Sequence, residues 1–282
     1  MGDTIEFRIT EPKTLFEMTR SEAEELFKQT NIGIIVCGST EQHGPHLPMG
    51  TDTFEGTEYS KRAARLLGKE GIRVVIATPI PFGISYHHTM WKGTLSISPE
   101  TLENLIIDVC ESLLVHGIKK IVLVLGHTGA LELACLLNAT TRIQRKFGVI
   151  VSVFNRSAYY PMIKPKVLKS EKPLAEGHGG EHETSMDLAI CPNLVLMDKA
   201  PKFFPKRERQ LTHIYMPKPV KQFNSGITTF GQLYGGLEET FNAGVGSIGD
   251  STIAAKETGE KLLNYFAEEL AKAIRKMAKI EV

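Results

Sequence analysis

Residues 120–129 read KIVLVLGHTG, and this stretch indicates the class of fold most directly. Its first six residues are almost all apolar and rich in Ile, Val and Leu, which predicts a buried strand. A segment of helical period follows at once, from Ala130 to Phe147, and a short strand, Val149 to Phe154, comes after it. Before the strand, Pro99 to His116 carries apolar residues at three- and four-residue steps, which predicts another helix. This alternation predicts an α/β fold with a mainly parallel sheet.

The same alternation continues on both sides of this stretch. Two regions, residues 159–180 and 199–249, break it and are rich in Pro, Lys and Gly. Long loops inside a compact domain are usually lids or binding loops, so we expect one domain over residues 1–282 with elaborated loops in these two regions. The remaining predicted elements are helices at Ser21–Gln29, Phe54–Leu67 and Thr252 to about Met277, and strands at Gly33–Cys37 and Arg73–Ile76.

The composition is that of an ordinary soluble protein. The 282 residues include 33 Lys and Arg against 32 Asp and Glu, a net charge of +1 that provides no overall attraction for nucleic acid or anionic lipid. No apolar run approaches the ~18 to 20 residues that cross a bilayer, and the first residues, MGDTIEFRITEPK, lack the apolar stretch of a secretory signal. Four scattered cysteines predict reduced thiols. We therefore expect a cytoplasmic protein without nucleic-acid or membrane partners.

A first group of metal-binding side chains follows the first strand, in the stretch GSTEQHGPHLPMGTDT at residues 38–53. Glu41 and His43 are two apart in an extended segment and project to one side, and a Gly/Pro-rich turn can return Asp52 to them. Carboxylate and imidazole together suit Zn, Mn or Fe in the divalent state. The alternative is a polar loop with a capping aspartate and surface histidines.

Two further groups are expected at the same edge of the sheet. His127 follows the strand at 120–125, and ligands of open α/β sheets gather beyond the carboxyl ends of the strands. The third group is the stretch EGHGGEHETS, residues 176–185, in which His178, Glu181 and Glu183 precede an apolar helix. The alternative for its acidic residues is a favourable place beside the positive end of a helix dipole.

Together these motifs resemble those of the creatininase (creatinine amidohydrolase) family of metal-dependent hydrolases. The 38–53 stretch is long and specific, and GHTG at 126–129 and EGHGGEHETS match the family's later motifs. Residues 86–94, YHHTMWKGT, look like the family's H-x-x-F-P-G-T segment, and GVGSIGD at 244–250 looks like its C-terminal turn. The resemblance implies a three-layer α/β/α sandwich, two divalent metal ions per subunit and usually a homohexamer.

The resemblance also implies roles for particular side chains. Glu41 would hold one metal ion and His43 the other, Asp52 would bridge them, and His127 would complete the first. His178 matches the catalytic histidine of the family. Four more side chains are expected beside the ligands or the substrate: Tyr86, His88, Trp91 and Glu183.

The sequence departs from creatininase directly after His127. In creatininase the corresponding residues look like H-x-E-N, with the glutamate as a ligand, whereas this chain has Thr128 and Gly129 after its histidine. We expect Glu181 to take the vacant place on the second metal ion, with Glu183 as the alternative. The same departure weakens the expectation that creatinine itself is the substrate.

The expected reaction is hydrolysis of a small polar ring by a metal-activated water, with His178 protonating the leaving atom. The C–N bond of a cyclic amide is the first expectation, because the family is named for that reaction. Similar sequences imply two alternatives, opening of the ring of an inositol-derived ketone (3-dehydro-scyllo-inosose) and deformylation of a formylamino-pyrimidine. A metal-binding module without turnover is the alternative from a different class.

The glycines at 244, 246 and 249 also fit the dinucleotide pattern G-x-G-x-x-G. That fingerprint belongs at the first turn between a strand and a helix, with an acidic residue ~20 positions on. Here it lies near the end of the sequence, so we interpret it as a turn in which Asp250 or Ser251 caps the last helix. A nucleotide-dependent oxidoreductase is therefore the weaker alternative.

Overall fold

The computed structural model describes residues 11–205, 240–241 and 243–282. Within them, four parallel strands form one sheet in the order β2-β1-β3-β4, with Cys37, Leu125 and Asn155 in register at its carboxyl edge. β1 and β3 are buried along their whole length. After β1 the chain adds β2 on one side of it and then β3 on the other side. The order in which strands are added therefore switches sides between β1 and β3, although the strands remain parallel. The strands are β1 Ile32–Cys37, β2 Val75–Ile76, β3 Lys120–Leu125 and β4 Ile150–Asn155.

Helices cover both faces of the sheet. Alternate residues of a strand point to opposite faces, so Ile34 and Val36 pack with α2, α6 and α7, whereas Ile35 and Cys37 pack with α3 and α4. This confirms the three-layer α/β/α arrangement with a parallel sheet. The helices described are α1 Arg20–Phe27, α2 Thr51–Lys69, α3 Pro99–Val115, α4 Ala130–Phe147, α5 Tyr160–Val167, α6 Glu181–Ile190 and α7 Lys256–Ala278; a short antiparallel pair adds β5 Lys202–Phe203 and β6 Gly249–Asp250.

Three boundaries differ from the sequence-based expectation. α2 begins at Thr51, which places Asp52 in the first turn of a helix rather than in a loop. The last helix begins at Lys256, so Asp250 and Ser251 do not cap it. Asp250 instead accepts the amide of Thr252 in a short turn and pairs with Lys202. The region predicted to be irregular at 159–180 contains α5, and most of the region at 199–249 lies outside the described residues.

α7 supplies the centre of the apolar layer on its side of the sheet. Phe266 is fully buried and its ring lies 6.0 Å from that of Tyr59 and 6.1 Å from that of Tyr160. Phe266→Ala should lower the free energy of unfolding by about 3–5 kcal/mol, because transfer and cavity costs add. Phe16, which is 79% exposed, provides the control, and Phe16→Ala should change stability by less than about 1 kcal/mol. Urea unfolding followed by circular dichroism measures both; equal losses would contradict this account of the core.

No helix among residues 11–205, 240–241 and 243–282 is both long enough and apolar enough to span a membrane.

Candidate metal centre

The predicted ligands meet beyond the carboxyl ends of β1 and β3. Residues 38–50 follow β1, and α2 carries Asp52 in its first turn. One residue, Gly126, separates His127 from the end of β3. Gly126 lets these segments approach each other, since a Cβ there would lie 2.8 Å from the Asp52 carbonyl oxygen and 2.9 Å from that of Cys37. Because the strand order switches sides between β1 and β3, the connections that follow these two strands diverge and leave room for a site at this edge of an open sheet.

Asp52 lies between two histidines. Its Oδ1 is 3.5 Å from His43 Nε2, and its Oδ2 is 3.3 Å from His127 Nδ1. Glu41 Oε1 is 3.3 Å from the same His127 nitrogen and 3.9 Å from His43 Nε2. All four side chains are buried. One carboxylate that faces two imidazoles with different oxygens has the geometry of a bridging ligand.

Hydrogen bonds to backbone oxygens orient both histidines. His43 Nδ1 donates to the carbonyl oxygen of Glu41 over 3.1 Å, and His127 Nε2 donates to that of Ile84 over 3.3 Å. A carbonyl oxygen only accepts, so the other nitrogen of each ring, which faces the carboxylates, is the one left to bind a cation. Such a second hydrogen bond commonly fixes the ring of a metal-binding histidine. His43 Nε2 is buried without a hydrogen-bond partner, as expected of an atom that binds a cation.

Among the described residues, three sets of side chains bring their ligand atoms within 4.8 Å of one another. We call the set Glu41, His87 and His127 the His127 subsite, and the set His43, Asp52 and Glu183 the His43 subsite. Asp52 reaches both subsites through its two oxygens. The third set is Glu41, His43 and His178. The donors are imidazole and carboxylate, which fit two neighbouring divalent cations of the Zn, Mn or Fe type.

Glu181 does not reach this cluster. Its carboxylate accepts the backbone amides of Lys169, over 2.8 Å, and Ser170, over 2.8 Å. Glu183 does reach it, with Oε2 4.0 Å from His43 Nε2. Both residues lie in α6, where positions two apart point about 200° away from each other, so they cannot face the same site. The expectation that Glu181 fills the vacant ligand place therefore needs correction: the structure brings its alternative, Glu183, to that place.

His178 lies between the rings of His43 and His88, with ring centres 4.2 Å and 4.0 Å away. Its Nε2 donates to the carbonyl oxygen of Gln42 over 2.5 Å, so its Nδ1 lone pair faces Glu41 Oε1, 3.7 Å away. Its side chain is 16% exposed, against 5% or less for the ligands just described. Burial lowers the pKa of His178. His178 is thus the imidazole at the open side of the cluster.

Gln42 orients the ring of His88 by contacting the ring nitrogen that does not face Glu41. The Gln42 amide group donates to the carbonyl oxygen of Gly246 over 2.8 Å and contacts His88 Nδ1 at 3.0 Å, while its oxygen accepts the amide of Gly44. His88 Nδ1 is therefore an acceptor, and its Nε2–H faces Glu41 Oε1 at 3.5 Å. His88 orients a ligand without offering a lone pair to the cluster. The glycine-rich turn at 244–249 thus contributes a hydrogen-bond acceptor to Gln42, a role that the sequence did not predict.

The two aromatic residues predicted beside the site have different positions. Trp91 lies 5.9 Å from the ring of His88 and 5.2 Å, edge to face, from Phe241, next to the open side of the cluster. Tyr86 packs against the apolar layer between the sheet and α3 and α4. Trp91 is therefore near His178, since both rings lie beside that of His88.

Sequence reasoning missed His87 and Arg156. His87 lies beside His88 in a short 3-10 turn, and its ring stacks 5.6 Å from that of His127. The Arg156 guanidinium is fully buried beside Glu55, Asp52 and Glu183. A signal for Arg156 existed, since it directly follows β4 at the same edge of the sheet.

Opposite charges within the cluster shift the pKa values of its side chains. Burial opposes charge on His43, but the carboxylates of Asp52 and Glu183 outweigh it and raise its pKa to about 10. Burial likewise opposes charge on Glu41, but His127 outweighs it and lowers the pKa of Glu41 to about 2. Ionised carboxylates therefore face protonated imidazoles. Divalent cations displace such protons when they bind.

The sequence model of the family described as creatinine amidohydrolase (Creatininase) matches residues 16–274. The chain therefore belongs to the creatininase family of metal-dependent hydrolases and is an enzyme of that class. This confirms the resemblance seen in the sequence motifs.

Named relatives of this chain act on different molecules. The 3-dehydro-scyllo-inosose hydrolase of Thermotoga maritima is 29% identical over 262 residues, covering 91% of this chain and 82% of the relative. The mycofactocin precursor peptide peptidase of Mycolicibacterium smegmatis is 31% identical over 180 residues, covering 64% and 66%. The creatinine amidohydrolase of Pseudomonas putida is 26% identical over 258 residues, covering 86% and 88%.

Solved structures of creatininase share the fold. One matches with a TM-score of 0.70 at 21% identity, covering 95% of this chain and 98% of that chain. A mutant creatininase of Zn-Zn type has a TM-score of 0.67 and a structure described as creatininase Mn has 0.66, each at 23% identity and covering 94% of this chain and 98% of that chain. Those proteins carry zinc or manganese by their descriptions.

Proposed function

We propose that this protein hydrolyses a small polar ring at a carbonyl carbon with the help of two divalent cations. The observation that carries the proposal is the position of Asp52, with one oxygen toward His43 and the other toward His127. Glu41, His127 and His87 would hold the first cation, and His43 and Glu183 the second, with Asp52 shared. Zinc and manganese suit this donor set and occur in the related structures.

When bound, two such cations supply an activated water and polarise the carbonyl oxygen under attack. The protein residues do the rest. His178 offers its Nδ1 lone pair to the proton of the attacking water, and Gln42 holds the opposite nitrogen so that the ring cannot turn away. The water oxygen bonds to the carbonyl carbon, the bond from that carbon to its ring neighbour breaks, and His178 returns the proton to the leaving atom. The product is an opened chain with a carboxylate.

For the ring, we favour a cyclic polyol ketone over the cyclic amide expected from the motifs alone. Support comes from the Thermotoga maritima relative, which is more similar to this chain than the creatinine amidohydrolase is. The absence of a glutamate after His127, where Gly129 stands, also separates this site from that of creatininase. In a ketone the leaving atom is carbon, and in an amide it is nitrogen; both require the same activated water and the same proton.

A substrate panel tests this assignment. The zinc- or manganese-loaded protein is incubated with 3-dehydro-scyllo-inosose, creatinine, a formylamino-pyrimidine and a short peptide, and new carboxylates are followed by NMR. We expect turnover of the cyclic ketone. Turnover of creatinine alone would restore the cyclic amide, and two bound cations without turnover of any compound would favour the metal-binding module.

The choice between the two glutamates of α6 gives a matched pair of variants. Glu183→Gln should lower the metal content from two ions to about one and reduce kcat/KM by about 100-fold or more, since a bound cation contributes several kcal/mol to the transition state. Glu181→Gln, whose carboxylate binds only backbone amides among the hydrogen bonds found, should keep both ions and most of the activity. Metal analysis and steady-state kinetics measure the pair; the reverse result would reinstate Glu181 as the ligand.

Family resemblance also supports a homohexamer and a single domain over residues 1–282, and we propose both, together with a cytoplasmic location. Light scattering of the purified protein should give six times the 31.2 kDa of one chain. A monomer in solution would contradict the proposed hexamer, but it would leave the proposed metal centre unaffected, because all of its ligands come from one chain.

A further inference from the structure

A fully buried guanidinium lies behind the metal centre. Arg156 directly follows β4, and its Nη1 pairs with Glu55 Oε2. Its Nη2 is 3.4 Å from Glu183 Oε1 and 3.8 Å from Asp52 Oδ1. One side chain therefore contacts two carboxylates of the His43 subsite and a third that belongs to neither subsite.

These contacts select which oxygen of Glu183 faces the subsite. Arg156 and His182 lie beside Oε1, at 3.4 Å and 3.6 Å, and the amide of Gly179 donates to Oε2 over 2.6 Å. With Oε1 held from behind, Oε2 is directed toward His43 Nε2. Without Arg156, Oε1 would keep only His182 among the described contacts, so the carboxylate would be less firmly fixed about its terminal torsion, which is broad for glutamate.

Glu55 also contacts Arg156. It is fully buried, and its Oε2 pairs with the guanidinium Nη1. The guanidinium therefore links Glu55 to the carboxylates of Glu183 and Asp52 and can fix their orientation. A planar guanidinium can reach three carboxylates at once because its donors form a rigid fork, which a lysine ammonium does not provide.

The His127 subsite is built differently. His127 is held by the carbonyl oxygen of Ile84, and Glu41 is flanked by His88 and His178. Among the described contacts, Arg156 reaches neither Glu41 nor His127. The two subsites thus have separate supports, apart from the shared Asp52.

We propose that Arg156 is a positioning residue for the His43 subsite: it holds Glu183 in the orientation that binds the second cation and contacts Asp52 at Oδ1, the oxygen on the His43 side, so the second cation depends on it more than the first. This inference rests on the proposed two-cation function. It concerns the order and strength of metal binding, so it is measured without turnover.

The test titrates Co²⁺ into the metal-free protein and follows both the heat of binding and the visible absorption of each bound ion. The variants are Arg156→Lys, which keeps the charge, and the double variant Glu55→Leu with Arg156→Met, which removes the buried pair together. Replacing a whole buried ion pair with apolar residues generally preserves folding, whereas removing one partner does not. Lys120→Met is the control, because Lys120 is also buried but donates to the carbonyl oxygen of Ala278 at the opposite end of β3.

The wild type and Lys120→Met should bind two ions. In both Arg156 variants we expect the first ion to keep its dissociation constant within about threefold and the second to bind at least about tenfold more weakly, as for other groups that orient ligands. The second absorption band should be lost at the Co²⁺ concentration that saturates the wild type. Two ions of unchanged affinity, or equal weakening of both, would overturn the role of Arg156. A wild type that binds no second ion would instead overturn the proposed function.

Discussion

Asp52→Asn is expected to abolish tight binding of both cations and to lower kcat/KM by about four orders of magnitude. Asp52 faces His43 Nε2 with one oxygen and His127 Nδ1 with the other, so its loss affects both subsites at once. Each tenfold loss corresponds to about 1.4 kcal/mol of transition-state stabilisation, and two cations together contribute several kcal/mol. Metal analysis after dialysis and steady-state kinetics on the same preparation measure the effect.

Asp250→Asn is the matched control for this substitution. Asp250 is as buried as Asp52, but its carboxylate pairs with Lys202 and accepts from Thr252. We expect this variant to keep two ions. Retention of both ions by Asp52→Asn would show that Asp52 is not the bridging ligand and would remove the central support of the proposed function.

His178→Ala is expected to keep both cations while kcat falls by about 10³-fold, within the range for loss of a general acid–base residue. The ring is the more exposed imidazole of the cluster, and its Nδ1 faces Glu41 from the open side. Added imidazole should restore part of the rate, because a small base can enter the space that the ring leaves.

The alternative for His178 is that it binds a cation, since its ring nitrogen lies in one set with Glu41 and His43. Metal content separates the roles: equal loss of metal and turnover in His178→Ala would make it a ligand. His116→Ala controls for the substitution, because His116 ends α3 and contacts Phe27 away from the site. It should leave both quantities unchanged.

The fold was predictable from the sequence because its signals are local. The run of apolar residues at 120–125 and the helical period at 130–147 each decide one element, and a parallel sheet follows from their alternation. The ends of elements were less predictable. Asp250 has the chemistry of a helix cap, but Pro201 accepts the amide of Ser251 and Lys202 takes the Asp250 carboxylate, so α7 begins later.

The sequence motifs predicted which stretches form the site, but not which side of α6 faces it. Glu41, His43 and Asp52 lie within one short stretch whose chemistry points to metal binding, and the structure brings them together. The choice between Glu181 and Glu183 depended on where α6 begins. The apolar part of this helix starts at residue 186, but the helix itself starts at 181, which turns the two glutamates to opposite sides.

Long-range partners could not be predicted from spacing. Arg156 is 101 positions from Glu55 in the sequence and 27 from Glu183, and only the register of β4 beside β3 brings it to the same edge. The position of Arg156 directly after β4 indicates the edge of the sheet at which it lies, but not that its side chain is buried, because most arginines lie on protein surfaces.

The hydrogen bond from Gln42 to Gly246 joins residues 204 positions apart. A ribosome adds roughly 5 to 20 residues per second, so roughly 10 to 40 s pass between the emergence of one partner and that of the other. During that interval Gln42 lacks this partner, so the segment that carries Glu41 and His43 lacks one of its supports. Under the proposed function, cations would therefore meet a fixed site only after Gly246 has emerged, and metal loading would follow the contact between these two distant segments.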